Sequence, residues 1–100
     1  MFTFDQRHSV FNLVGPLDGV EILGGDSRRR AIMFAFTQGG FCYVGPAASA
    51  ITLECMGVVA VNENLTFLWK DWGTILTRPW FAAVNGAGTV LNVTELIQLS

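Results

Sequence analysis

The chain contains few residues that could do chemistry, and their spacing does not bring them together. Its single histidine, His8, precedes Ser9, and neighbouring residues of a strand point to opposite faces, so the two do not form a base and nucleophile. The 8 carboxylates are spread singly, without the pairing that acid–base catalysis or a hard metal ion requires. We therefore expect no enzyme activity, no metal and no cofactor; a small hydrolase using His8 ranks last among the alternatives.

The two cysteines, Cys42 and Cys55, have no CxxC spacing and no companion histidines, which argues against a zinc site or a redox motif. Free cysteine behaves as a small hydrophobic residue, and two buried thiols are the favoured interpretation. The alternative is a disulfide between Cys42 and Cys55.

The one run of charge is formed by Arg28, Arg29 and Arg30. Such a run either binds phosphate or an acidic partner surface or, as is more common, guards the entrance of a strand in solvent. The formal net charge of the chain is -2, so no overall positive field would attract nucleic acid. We expect no nucleic-acid partner.

Aromatic residues are densest around the three tryptophans, Trp69, Trp72 and Trp80. Aromatic side chains dominate both protein cores and the anchors of interfaces. We predict that Phe67, Trp69 and Trp80 lie in the core and that Trp72 lies at a contact surface. The alternative is a carbohydrate-binding module that uses Trp72 and Trp80 as stacking platforms.

The elements that must position these residues are strands. Residues 79–84 and 89–97 are two β-branched and aromatic runs around Asn-Gly-Ala-Gly, a pattern that predicts a β-hairpin. Alternation along the two runs places Trp80, Leu91 and Val93 on buried faces.

Residues 29–36 form the strongest strand pattern, with apolar residues on both faces. We expect a central strand with Ile32, Phe34 and Phe36 in the core and Met33 at a subunit contact, because a two-layer sandwich buries only one face of a strand. The run at 41–44 predicts a second hairpin with this strand. Residues 9–14, 20–23 and 72–77 also predict strands, the second of them at a sheet edge.

No stretch shows helical periodicity over more than two turns, and strand-sized units recur every eight to twelve residues, which predicts an all-β sandwich or barrel. At 100 residues the chain is a single domain, residues 1–100. Hydrophobic residues make up 51% and charged residues 14%, more apolar side chains than one small core can hide.

Two parts of the sequence bear on targeting, namely the first residues and residues 31–53. The first residues lack a secretory signal pattern, so the protein is expected to be made in a cytoplasm. Residues 31–53 carry no formal charge and follow three arginines, the arrangement of a membrane span with positive residues inside, but Gln-Gly-Gly, Gly-Pro and Ser49 interrupt them. These breaks favour strands over a membrane span, and no membrane partner is expected.

The order of these segments resembles the small β-sandwich proteins of tailed-bacteriophage virions, namely capsid cement or decoration proteins and head- or tail-fibre attachment domains. The resemblance covers residues 28–97 and rests on RRAIMF at 29–34, CYVGP at 42–46, PWFAAV at 79–84 and TVLNVTE at 89–95.

The resemblance implies a compact antiparallel β-sandwich, jelly-roll-like, with about eight short strands. It implies a non-enzymatic virion structural protein, assembled in the host cytoplasm, that binds the major capsid protein or another virion protein. The protein is then expected to form homo-oligomers, dimers or trimers, with Arg28, Arg29 and Arg30 around Met33 at the contact. A fibre attachment module is the structural alternative.

Overall fold

A computed structural model of the chain describes residues 2–13, 19–38, 41–46, 57–60, 63–84 and 89–100. These residues form eight strands: β1 (Phe4–Leu13), β2 (Val20–Leu23), β3 (Arg29–Gln38), β4 (Phe41–Gly45), β5 (Gly57–Ala60), β6 (Asn64–Leu68), β7 (Trp80–Val84) and β8 (Thr89–Gln98). Between β6 and β7 lie a one-turn helix, α1 (Trp69–Trp72), and a 3-10 helix (Gly73–Thr77). Within these residues no helix is long and apolar enough to cross a membrane.

The strands form two antiparallel four-stranded sheets. Sheet A has the order β1-β8-β3-β6 and sheet B the order β2-β7-β4-β5. The pairs β1 with β8, β2 with β7, β3 with β6 and β4 with β5 alternate between the sheets, as in one long antiparallel ribbon rolled into two layers. This is the jelly-roll arrangement of eight strands, and the predicted fold class is confirmed.

Both predicted hairpins are wrong. β7 belongs to sheet B and β8 to sheet A, and likewise β3 belongs to sheet A and β4 to sheet B. In this rolled ribbon, consecutive strands cross from one sheet to the other, except for β4 and β5, which pair with each other in sheet B. β3, β7 and β8 pair with strands that are not their neighbours in the sequence, which turn residues alone do not specify.

Two predicted strands differ from the structure, one in its length and the other in its type of secondary structure. β1 starts at Phe4, well before residue 9, because its first half is exposed and therefore lacks the apolar alternation of a buried strand. Residues 72–77, predicted as a strand, are instead the end of α1 and the 3-10 helix. Gly73 has a φ of 57°, a conformation that glycine adopts without strain, and it turns the chain out of the strand direction.

The core lies between the sheets and follows the predicted alternation. On β3 and β8 the inward residues Ile32, Phe34, Phe36, Leu91 and Val93 are completely buried. The other large core residues are Leu13, Ile22, Leu23, Cys42, Val44, Phe67, Leu76, Trp80 and Val84.

One predicted core residue is misplaced. Trp69 is 38% exposed, because β6 ends at Leu68 and Trp69 begins α1. The alternation of β6 that would have buried it does not continue into a helix, where side chains follow a different period.

Candidate functional site

A charged cleft of about 320 Å³ opens beside the two edge strands β1 and β2. Its lining comes from β1, β2, the segment that joins β2 to β3, and the inward faces of β3 and β8: Arg7, Ser9, Ile22, Leu23, Gly24, Gly25, Asp26, Arg29 and Glu95. Two arginines and two carboxylates thus meet where the hydrophobic core ends.

Arg29 lies at the bottom of this cleft and is only 2% exposed. Its Nε donates to Glu95 Oε2 at 2.7 Å and its Nη2 to the Gly24 carbonyl at 2.6 Å. Its Nη1 donates to the carbonyls of Leu76 and Arg78, each at 3.0 Å. One side chain therefore joins β3 to β8, to the 3-10 helix region and to the segment after β2.

Arg7 extends the network to the mouth of the cleft. Its Nη2 donates to Asp26 Oδ2 at 2.9 Å and to Glu95 Oε2 at 3.0 Å. The backbone N–H of Arg28 donates to Asp26 Oδ1 at 2.9 Å. That backbone hydrogen bond, followed by the bond and charge of Arg7, lowers the pKa of Asp26 below its ordinary value of 3.8.

This arrangement does not suit acid–base catalysis. A catalytic pair of carboxylates needs one member that holds a proton near neutral pH, whereas the lowered pKa of Asp26 keeps it ionised, and Glu95 accepts from two guanidinium groups. The four side chains act as a cross-link between elements. No group of metal-ligating side chains occurs in the described ranges.

His8 and Ser9 lie on opposite faces of β1, as expected for neighbours on a strand. Ser9 lines the cleft, whereas His8 is exposed and lies opposite Thr94 of β8, on the outer side of sheet A. A base and a nucleophile are therefore not brought together.

The aromatic cluster is buried on one side and exposed on the other. The Trp80 ring is fully buried, with ring centroids 5.1 Å from Phe67 and 5.7 Å from Phe34, and its Nε1 donates to the Ile75 carbonyl at 3.2 Å. Trp80 cannot stack on a sugar, so the two-tryptophan carbohydrate platform is wrong. Trp72 is 40% exposed and packs edge-on against Phe67.

The outer face of sheet A is the broad surface that turns away from sheet B. Its positions follow from the register and the alternation of burial: Phe4, Gln6, His8, Val10 and Asn12 on β1, Val90, Asn92, Thr94, Leu96 and Gln98 on β8, Ala31, Met33 and Ala35 on β3, and Asn64, Thr66 and Leu68 on β6. None of these positions carries an aspartate, glutamate, lysine or arginine.

An apolar patch crosses this face. Ala31 lies opposite Leu96 on one side and Leu68 on the other, and Met33 follows two positions along β3. The side chains of Met33, Leu68 and Leu96 are each more than a third exposed. Contiguous exposed apolar side chains of this kind mark interaction surfaces in folded proteins.

The three consecutive arginines separate in the structure. Arg28 is exposed and lies 3.5 Å from the Asp26 carboxylate. Arg30 borders the outer face of sheet A, where its Nε donates to Gln98 Oε1 at 2.8 Å and its guanidinium lies 4.3 Å from the centre of the Trp69 ring. Arg29, predicted at the rim of a contact, is buried instead, because the β3–β8 register shifts between Arg29 and Ala31.

Sequence reasoning missed the pairing of Arg29 with Glu95, although one signal was available. Glu95 follows Leu91 and Val93 at the spacing of the buried face of β8, so its alternation places a carboxylate inside. A buried carboxylate needs a cationic or hydrogen-bonding partner, and the run of three arginines was the obvious source.

Cys42 lies in the core between the sheets, and burial raises the pKa of its thiol to about 12. A thiol with such a pKa is unreactive at neutral pH, because the thiolate is the reactive form. Cys55 lies outside the described residues, and the choice between free thiols and a disulfide with Cys42 stays a prediction.

Comparisons with known proteins identify a similar fold and no family. No family model matches the chain, and no curated protein matches it. A solved structure described by the words "Bacillus endospore appendages form a novel family of disulfide-linked pili" superposes with a TM-score of 0.54 at 13% sequence identity, covering 100% of this chain and 92% of that one. This chain is therefore similar in fold, over its whole length, to a subunit of a Bacillus endospore appendage.

Proposed function

We propose that this protein is a non-enzymatic structural subunit that works in many copies within a larger protein assembly. The observation that carries the proposal is the outer face of sheet A, a four-stranded surface with exposed Met33, Leu68 and Leu96 and without charge at its described positions. The core of a protein interface is depleted of charge in the same way.

The carboxylates of the cleft and the thiol of the core support the non-enzymatic part of the proposal. The carboxylates of Asp26 and Glu95 are held in ion pairs that tie the fold together, and the Cys42 thiol is buried in the core. These carboxylates and this thiol are thus held by contacts that stabilise the fold. No cofactor is proposed.

Two kinds of assembly fit, and each has its own support. The resemblance of segments 28–97 to virion proteins favours a capsid cement or decoration protein that binds the major capsid protein or another virion protein. The similarity in fold to an endospore appendage subunit favours a subunit of an extracellular fibre. In both cases the partners are proteins, including copies of this chain, and the outer face of sheet A makes the contact, with Met33 near its centre and Arg30 at its border. A contact at the exposed Trp72 stays a prediction.

Met33→Asp tests the contact. The side chain is 37% exposed, so the domain is expected to fold, as measured by circular dichroism and thermal melting. Burying an unpaired carboxylate at an interface is costly, so assembly, measured by sedimentation, is expected to be lost. Val58→Asp is the matched control, since Val58 is an exposed apolar residue on the outer side of sheet B.

The outcomes separate the hypotheses. If Met33→Asp assembles as well as the parent, or Val58→Asp fails equally, the outer face of sheet A is not the contact. If the parent polymerises alone into fibres, the appendage hypothesis is supported; if it binds shells of a capsid protein and does not polymerise, the cement hypothesis is supported. A parent that does neither contradicts both.

A further inference from the structure

β1 is the longest of the strands that form the edges of the two sheets. β1 has ten residues, whereas the other terminal strands, β2, β5 and β6, have four or five. Its register with β8 runs from Phe4 to Leu13 without a shift. Among the described residues no strand pairs with its opposite edge, and a long, unbulged edge of this kind is a template for pairing with another chain.

The backbone groups at this edge can be assigned from the start of the strand. Thr3 donates its N–H to the Ser100 carbonyl at 3.2 Å and accepts the N–H of Leu99 at 2.7 Å, so its polar groups point toward β8. Successive residues of a strand point their N–H and C=O groups to opposite edges. Phe4, Gln6, His8 and Val10 therefore point theirs away from β8.

The sequence along this edge is close to self-complementary. Residues 2–10 read Phe-Thr-Phe-Asp-Gln-Arg-His-Ser-Val. An antiparallel copy centred on Gln6 places Phe2 opposite Val10, Thr3 opposite Ser9, Phe4 opposite His8, and Asp5 opposite Arg7. This register pairs two apolar residues, two hydroxyl-bearing residues, an aromatic ring with an imidazole, and two opposite charges. Pairs of these kinds are favourable across antiparallel strands.

We infer that β1 pairs with β1 of a second copy of this chain about a two-fold axis at Gln6, which joins two sheets A into one continuous eight-stranded sheet. The pairs at residues 2, 4, 6, 8 and 10 are of the hydrogen-bonded kind and supply about ten backbone hydrogen bonds, two for each pair. The pairs of Asp5 with Arg7 are of the closer, non-hydrogen-bonded kind.

The charges and the exposed side chains at this edge fit a second copy. Asp5 has no ion pair within the described part of the chain, and Arg7 uses only Nη2 for Asp26 and Glu95. Its Nε and Nη1 are then available to the partner's Asp5. Phe2 and Val10, which are 69% and 53% exposed, lie against each other across the axis.

The dimer goes beyond the proposed function and does not depend on it. The axis stands perpendicular to the sheet, so the outer faces of both sheets A lie on the same side and stay uncovered. Met33→Asp is therefore expected to remain dimeric, even where it fails to assemble further.

Cysteine cross-linking tests the register. In a hydrogen-bonded antiparallel pair the Cα atoms are about 5.5 Å apart, within the range of a disulfide. Gln6→Cys is expected to give a covalent dimer on mild oxidation. His8→Cys is the matched control, because the two His8 residues lie about 13 Å apart along the paired strands, and the parent reports any background from its native cysteines.

Proline substitution tests the backbone pairing. Gln6→Pro removes an N–H that faces the edge and leaves the β1–β8 hydrogen bonds in place, a change that edge strands tolerate. The dimer dissociation constant is expected to rise about tenfold or more, measured by sedimentation equilibrium. Asn12→Pro alters the same edge outside residues 2–10 and is expected to leave the dimer intact.

Three results would overturn the inference: a monomeric parent at tens of micromolar, equal cross-linking of the Gln6→Cys and His8→Cys variants, or a Gln6→Pro variant that is folded and dimerises like the parent. If Gln6→Pro does not fold, the cysteine pair decides alone.

Discussion

β3 and β8 each have an inner and an outer face, and the two faces differ in where charged side chains lie. On the inner side Arg29 and Glu95 form an ion pair at 2.7 Å, buried at the end of the core. On the outer side, Met33 and Leu96 are exposed, and the strand positions around them carry no aspartate, glutamate, lysine or arginine, with Arg30 at the border. Charged side chains are thus buried where they form an ion pair, and they are absent from the solvent-exposed positions around Met33.

The difference separates stability from assembly. A buried ion pair is not by itself strong evidence of stability, but removing one partner leaves an uncompensated buried charge, which is strongly destabilising. An uncharged outer face adds little to the monomer, yet it can be covered by another protein without desolvating ions. Interior substitutions should therefore unfold the domain, and outer-face substitutions should leave it folded.

The largest effect is expected from Trp80→Ala. Removing this fully buried ring leaves a cavity and is expected to lower the free energy of unfolding by about 3–5 kcal/mol, measured by urea denaturation. Trp69→Ala is the matched change on the outer side, where the ring is partly exposed and stacks with Arg30, and about 1–2 kcal/mol is expected. Equal losses would contradict the division between the two faces.

A smaller effect is expected from Glu95→Gln. The substitution keeps the shape of the side chain and removes the charge that pairs with Arg29 and Arg7. We expect a loss of about 2–4 kcal/mol in the free energy of unfolding, because the Arg29 guanidinium stays buried without a counter-charge. The exposed Glu21→Gln provides the control. A Glu95→Gln variant as stable as the parent would show that the carbonyls around Arg29 suffice.

The smallest effect concerns Asp26 and is visible in its pH dependence. Its pKa is lower in the folded than in the unfolded chain, so its stabilising contribution is complete above the unfolded value of about 4 and is lost as the pH falls through the folded value. Asp26→Asn is expected to cost about 1 kcal/mol at pH 7 and to flatten the decline in stability between about pH 5 and pH 2.

Chemical denaturation at each pH measures this effect. Asp71→Asn serves as the control, since Asp71 is exposed on α1. If the parent and Asp26→Asn lose stability in parallel as the pH falls, the Asp26 carboxylate, with its hydrogen bond from Arg28 and its ion pair with Arg7, does not contribute.

The alternation of side chains determined much of this fold in advance. Period-two patterns in residues 29–36 and 89–97 predicted strands and identified their buried residues, including Phe34, Leu91 and Val93, because burial of every second side chain is a local property of a strand. The spacing of the strands predicted the β-sandwich. The same pattern singled out Met33 as an apolar residue on the outer side.

Only the tertiary structure decided which strands pair and where the charged and aromatic side chains lie. Turn residues after β3 and β7 allow a reversal, but they do not specify whether the chain returns within one sheet or crosses to the other, so both predicted hairpins failed. Arg29 became buried because a local shift in the β3 register turned it inward, and Trp69 left the core because β6 ended one residue earlier. Pairing and burial of these residues depend on contacts between distant segments, which the local pattern of a sequence does not contain.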